Sequence, residues 1–185
     1  MDECHHAAAY TYKKIMDYFK PGFMLGITAT PDRMDNKDIY ELFDKNVPYE
    51  LRLRDAIINN LVVPFHYYGI RDNLVDYSHK ETIKIAKEIS KADNIKFIKE
   101  EIKKHHPSGK LKALAFCASI AHAEDMAYAF NEEGITAVSL SGKDDYNKRS
   151  KAFTELQSDD CELEMITCVD ILNEGVDIPA VNMVL

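Results

Sequence analysis

Short apolar runs alternate with amphipathic stretches through most of the chain. The clearest runs are Ala113–Cys117, Thr136–Leu140 and Leu163–Cys168. Each is too short for a buried helix and continuously apolar enough to be a strand buried on both faces. Val181–Leu185 begins a further one. Between them Ser119 stands where a helix N-cap is needed, with Ala123, Met126, Ala127 and Phe130 spaced on one inner face. Gly134 stands at the C′ position that ends that helix. Tyr146–Leu156 repeats the pattern, with Ala152, Phe153 and Leu156 inward. Strand, helix, strand, helix, strand in this order predicts an α/β domain: a parallel sheet with helices on both faces.

The N-terminal part is patterned less regularly. Ala7 to Lys20 places Ala8, Tyr12, Ile15 and Phe19 on one helical face, and Pro21-Gly22 stops it. Phe23–Thr28 is a short apolar run expected to be a doubly buried strand. Asp35–Val47 carries Ile39, Leu42 and Phe43 and predicts a short helix ended by Pro48. Phe65–Ile70, rich in aromatics, reads as a strand. The region from Ser78 to His106 is expected to be helical with a break near Ala92-Asp93-Asn94, because its apolar residues fall on two different stripes. Pro107-Ser108-Gly109 is the next turn.

Composition narrows the class. At 185 residues, 46% hydrophobic and 29% charged, the chain is ordinary for a globular protein. No apolar run approaches the ~18 residues of a membrane span, so no membrane is expected as a partner. The four cysteines, Cys4, Cys117, Cys161 and Cys168, form no Cys-x-x-Cys pair. With no basic and apolar leader at Met1, they read as reduced thiols of a cytoplasmic protein. A net charge of −8 argues against a general polyanion-binding surface but leaves room for a local one. Lys80 to Lys112 does concentrate ten lysines against five acids. The 4, 3, 4 spacing of Lys80, Lys84, Lys87 and Lys91 is that of a solvated helix face.

Candidate chemistry begins with Asp2-Glu3-Cys4-His5-His6. One carboxylate can hold Mg²⁺ through its water shell while the next orients an attacking water. A few turns later the run Phe23–Ile27 delivers Thr28 and Thr30 at its C-terminal end, where parallel α/β sheets place active-site loops. Cys4, His5 and His6 are adjacent and point different ways, which makes them poor joint zinc ligands. Asp-Glu-Cys-His followed by Thr-Ala-Thr-Pro-Asp-Arg resembles motif II (the DExH box) and motif III of superfamily-2 nucleic-acid helicases. The branch it resembles most includes type III restriction subunits and excision-repair helicases.

Three later segments extend the resemblance. Phe116-Cys117-Ala118-Ser119 with the following helix is similar to motif IV, and Leu140-Ser141-Gly142 to the next strand-end motif. Both put small or hydroxyl residues at helix N-termini, where free N–H groups can hold phosphate without a lysine. Val169 to Pro179, containing Asn173, Gly175 and Asp177, resembles motif V. A glycine there lets backbone approach a ligand closely, and a carboxylate two residues on can accept from a ribose hydroxyl. The hydroxyl residue that often starts this motif aligns with Val169. Thr167 lies two residues early, so no phosphate role is carried over to it.

The resemblance implies a RecA-like, P-loop NTPase-type fold. Residues 1–63 would be the C-terminal remnant of a first ATPase lobe, and residues 64–185 most of a second, cut before motif VI. It implies ATP and Mg²⁺ as cofactors of an intact parent, with Asp2 on the metal, Glu3 activating water, and His5, Thr28 and Thr30 coupling hydrolysis to lobe movement. Gly175 and Asp177 would contact nucleotide. Ser119, Ser141, Gly142 and Asn173 would contact a single nucleic-acid strand, DNA in preference to RNA. No Gly-x-x-x-x-Gly-Lys-[Ser/Thr] occurs in the chain, so the piece is expected to begin inside a larger protein and to lack ATPase activity alone. The rival expectation is a stand-alone, non-catalytic binding module for nucleic acid or protein.

Overall fold

Backbone ladders form where the apolar runs are continuous. A computed structural model of the chain describes residues 1–7, 9–31, 39–71, 81–106, 108–172 and 176–185. In it β1 (Ala113–Phe116), β2 (Ala137–Leu140), β3 (Met165–Cys168) and β4 (Met183–Val184) form one sheet in the order β2-β3-β1-β4. Every pairing is parallel, with Leu114 and Val138 both opposite Ile166. The chain divides into two compact units, Met1–Tyr68 and Gly69–Leu185, and the sheet is the centre of the second.

Alternate strand residues face opposite sides, and each side has its own core. Ala113, Ala115 and Met165 join Ile95 and Ile102 of α4 (Ala92–His105) and Met126 and Phe130 of α5 (Ile120–Glu132). Leu114, Ile166 and Cys168 join Ala152 and Leu156 of α6 (Tyr146–Gln157) on the other side. Phe130 is fully buried, a contribution of roughly 1.5–3 kcal/mol. The expected three-layer α/β architecture is therefore present. Helix α5 ends as its sequence predicts: Gly134 has φ 80°, its N–H donates to Asn131 O, and the N–H of buried Ile135 donates to Phe130 O. The basic region forms α3 (Thr82–Ile89) and α4, separated at Ser90-Lys91. Lys84, Lys103 and Lys104 each pair with an acid three residues earlier, the arrangement of a solvated helix face.

The first unit departs from the expectation. It contains α1 (Tyr10–Phe19), α2 (Leu53–Ile58) and 3-10 turns at Cys4–His6 and Tyr40–Phe43. Of the predicted Asp35–Val47 helix only Tyr40–Phe43 is helical, as a 3-10 turn that Asp44 ends in the left-handed region at φ 53°, and Asp44–Val47 are not helical; residues 35–38 lie outside the described ones. Phe23–Thr28 is not a doubly buried strand: Phe23, Leu25 and Ile27 are 83%, 51% and 60% exposed, while Met24, Gly26 and Thr28 are half-buried. That alternation means cover on one side only. The segment nevertheless holds a rung of parallel pairing. Met1 N donates to Leu25 O, Ile27 N donates to Met1 O, and Cys4 N donates to Ile27 O. Phe65–Ile70 is exposed and pairs in no ladder among the described residues, so it is not the strand its aromatic content predicts. Its side chains find no apolar layer to cover them.

Candidate functional site

The rung between Met1 and Leu25–Ile27 brings two distant sequence segments together, and with them the DExH residues and the threonines. His5 Nδ1 lies 2.8 Å from Thr28 Oγ1, 3.5 Å from Thr30 Oγ1 and 3.3 Å from Glu3 Oε2. The Thr30 N–H donates to Thr28 Oγ1 at 3.1 Å. One imidazole nitrogen therefore faces both hydroxyls and one carboxylate. A proton on Nδ1 suits that setting, since the carboxylate can only accept. The His6 ring lies against that of His5, with centroids 4.0 Å apart. Glu3 occupies the left-handed region at φ 44°, a conformation costing a non-glycine residue about 1–2 kcal/mol. Its N–H donates to Asp2 Oδ1 at 3.0 Å.

Gly26 makes this convergence possible. A Cβ there would fall 2.5 and 2.8 Å from the Phe43 ring and 2.9 Å from Cys4 Sγ. Only glycine lets the Phe43 ring and the buried Cys4 close over the backbone that leads to Thr28. Burial pushes the Cys4 thiol pKa up, so it is a packing group here.

Asp2 is exposed. Among the described residues no group of three or more His, Cys, Asp or Glu could enclose a metal. A single exposed carboxylate fits Mg²⁺, which keeps most of its waters and is completed by substrate phosphates. It does not fit zinc.

In the second unit, Ser119, Ser141 and Gly142 lie at the C-terminal edge of the sheet. Ser119 follows β1 and caps α5: its Oγ accepts from the His122 N–H at 3.1 Å. The Ala118 N–H in turn donates to His122 Nδ1 at 3.2 Å. Burial lowers the His122 pKa, opposed by the nearby Asp125 carboxylate, so the ring is neutral at pH 7. Ser141 follows β2 and is buried. Its N–H and hydroxyl both donate to Asp144 Oδ2, at 2.7 and 3.0 Å. Lys148 Nζ holds the other oxygen at 2.5 Å, and this bond is the main cause of the lowered Asp144 pKa. The donors expected to face phosphate at Ser141 are thus taken by an internal carboxylate, while neighbouring Gly142 is exposed. The sequence reading missed Asp144, although Ser141-x-x-Asp144 has the spacing of a reciprocal cap.

A Cβ on Gly142 would sit 3.8 Å from Ile171, which places the loop after β2 beside the loop after β3. Asp177 of the latter is exposed; Asn173 and Gly175 lie outside the described residues. Leu172 and Val176 flank them and line a cleft of about 290 Å³ with Leu114, Ile178 and Val181. Thr167 is fully buried, and its hydroxyl donates to Ala123 O at 2.7 Å. It ties β3 to the first turn of α5 and has no surface to offer a phosphate.

The family model for the helicase conserved C-terminal domain matches residues 93–185. The chain belongs to the helicase C-terminal domain family. A second model, type III restriction enzyme, res subunit, matches residues 1–33, and the two together place this helicase-family chain in the restriction-subunit-like branch of superfamily 2. A 51.5 kDa protein of a Lactococcus phage is 29% identical over 96% of this chain and 39% of its own length. A Schizosaccharomyces pombe protein named as a mitochondrial ATP-dependent helicase, irc3, is 26% identical over 98% of the chain and 31% of its length. The chain therefore spans well under half of these relatives. A solved fragment of a type I restriction enzyme HsdR subunit from Vibrio vulnificus superposes over 94% of the chain with a TM-score of 0.66 at 22% identity, covering 34% of that chain. The fold is RecA-like.

Proposed function

We propose that this chain is the central part of an ATP-dependent translocase that moves along single-stranded DNA. The observation that carries the reading is the meeting of Glu3 and His5 with Thr28 and Thr30, more than twenty positions away, through one His5 nitrogen. Such a link can sense the γ-phosphate side of a nucleotide through Glu3 and pass its state to the threonine loop. In this reading Asp2 holds Mg²⁺, which supplies charge neutralisation on the β- and γ-phosphates. Glu3 orients the attacking water, and His5 keeps its carboxylate and the two hydroxyls in register. Residues 1–63 belong to the first ATPase lobe and 64–185 to the second. The phosphate-binding lysine and the motif VI arginines come from other parts of the same protein, in a cytoplasmic setting that keeps its thiols reduced.

The nucleic-acid strand runs over the C-terminal edge of the second unit's sheet, touching Ser119, Gly142 and the motif V loop with Asn173. Ser141, bonded to Asp144, orders the loop that presents Gly142. Gly175 and Asp177 contact nucleotide. DNA is preferred to RNA by analogy with the restriction-type branch. The test is single-turnover ATP hydrolysis and strand translocation by the full-length protein carrying His5→Ala. Hydrolysis that persists while translocation fails supports a coupling role. Unchanged translocation overturns it.

A further inference from the structure

The first turn of α5 is built to be capped without being charged. The usual partner of an N-cap serine, three residues on, is Glu or Gln, whose side chain reaches back to a backbone N–H. Here that position is His122, whose Nδ1 accepts the Ala118 N–H while Ser119 Oγ accepts the His122 N–H. His122 is 9% exposed, and its buried Nε2 finds no partner among the described residues. With Nδ1 accepting, Nε2 carries the proton, so a buried donor is left unsatisfied. Stability alone does not explain that choice. A glutamate would cap the same turn, suit the helix dipole and leave no orphan ring nitrogen.

The helix after β2 shows the alternative. At α6, Asp145 Oδ1 accepts the Lys148 N–H, and Asp144 occupies the donors of Ser141. Carboxylates already neutralise that N-terminus. The first turn of α5 contains no acidic residue. The N–H groups of Ile120 and Ala121 have no acceptor among the described residues.

Resting on the proposed strand-binding edge, we infer that His122 is its positioning residue: a neutral cap that fixes Ala118 and Ser119 and keeps α5's N-terminus free of negative charge for a nucleic-acid phosphate. Burial holds the ring neutral, so it adds neither a competing anion nor a cation. Fixed N–H groups then recognise the phosphodiester backbone rather than the bases.

The experiment compares His122→Glu with His122→Gln, two side chains of equal length and reach that differ in charge. Binding of a fluorescent single-stranded oligodeoxynucleotide at pH 7.5 is measured alongside urea unfolding, with Ser119→Ala as reference. The Gln variant is expected to bind like the unsubstituted chain, and the Glu variant about 3- to 30-fold more weakly at similar stability. His122→Leu covers the case in which a buried Glu prevents folding. It removes the acceptor without adding charge, should bind several-fold more weakly than Gln, and should speed hydrogen exchange at the Ala118 amide. Equal affinities of the Glu and Gln variants, or of Leu and Gln if Glu does not fold, overturn the role of His122 while leaving the edge intact, provided Ser119→Ala still weakens binding. If Ser119→Ala also binds normally, the strand-binding edge itself is refuted, and the inference with it.

Discussion

The two units bring hydroxyl groups to the ends of apolar segments by different physical means. In the second, β1 and β3 are clamped between α4 and α5 on one side and α6 on the other, so the strands that lead to Ser119 and carry Thr167 are placed by packing, and local caps then fix Ser119 and Ser141. In the first, the buried apolar residues are only Cys4, Ala7, Ile39 and Ala56 among those described, while Phe23, Leu25 and Ile27 are exposed. Thr28 and Thr30 are placed there by hydrogen bonds, through the Met1–Ile27 rung and His5. A packed site tolerates the loss of one polar bond; a bonded site does not. Single polar substitutions in the first unit should therefore change turnover, whereas those in the interior of the second, such as Thr167, should change stability.

The largest effect expected is on turnover. If Glu3 orients the attacking water as proposed, Glu3→Gln in the full-length protein should lower ATP hydrolysis by about 10²–10⁴-fold with nucleotide affinity near normal. The 185-residue chain alone, without a Gly-x-x-x-x-Gly-Lys loop, should show no ATPase above background with Mg²⁺ and single-stranded DNA. Hydrolysis by the chain alone that Glu3→Gln abolishes contradicts this picture of how the site is completed.

Thiol labelling compares the units directly. Burial pushes Cys117 and Cys168 up to about 11, so at pH 8 only about one part in a thousand of either is thiolate. Half-buried Cys161 should react first. Cys4 is buried too, but its surroundings have a small core and open at lower cost. It should therefore label before Cys117 and Cys168, with the gap widening in mild urea. Labelling of Cys168 as fast as Cys4 would show the second unit to be the looser one.

Two substitutions then sharpen the contrast between bonding and packing. Gly26→Ala drives a methyl into the Phe43 ring and Cys4 Sγ, at 2.5–2.9 Å. It should destabilise the first unit by about 1–3 kcal/mol, partly restored by Phe43→Leu and read by amide exchange around Thr28. Thr167→Val keeps the shape but removes the bond to Ala123 O. Its cost should be about 1 kcal/mol in urea unfolding, with α5 still docked by Phe130 and Met126.

Legibility in the sequence followed the same division. Ala113–Cys117 and Leu163–Cys168 were readable as strands because central strands covered on both faces are nearly continuous apolar runs, whereas Thr136–Leu140, expected to be buried as well, forms an edge strand of the sheet with only Leu140 buried. The Gly134 ending of α5 was readable because a positive φ calls for glycine. Phe23–Thr28 has the same apolar character, yet only one side is covered, and composition cannot report which neighbours are present. Phe65–Ile70 misled for the same reason. The DExH residues and threonines could be paired through their family resemblance, whereas the His5–Thr28 contact needed coordinates. Asp144 and His122 were hidden because both act by occupying backbone donors, which leaves only a three-residue spacing as a trace.

The smallest expected effect bears on the basic stripe, which the sequence made conspicuous. Lys84 Nζ sits 3.1 Å from Glu81 on an exposed helix face, a pairing worth little in water. If α3 only contributes a screened field, Lys84→Gln with Lys87→Gln should weaken single-strand binding less than about two-fold near 0.15 M salt, where the Debye length is about 8 Å. The salt dependence separates this from direct contact. Each lysine that neutralises a phosphate of a single strand contributes about −0.7 to the slope of log K against log salt. Two contacting lysines lost would therefore flatten it by about 1.4. An unchanged slope in the double variant, beside weaker binding in Ser119→Ala, places recognition at the packed sheet edge. A flattened slope moves it to α3 and makes the lysine face, rather than the neutral cap of α5, the main electrostatic contact of the second unit.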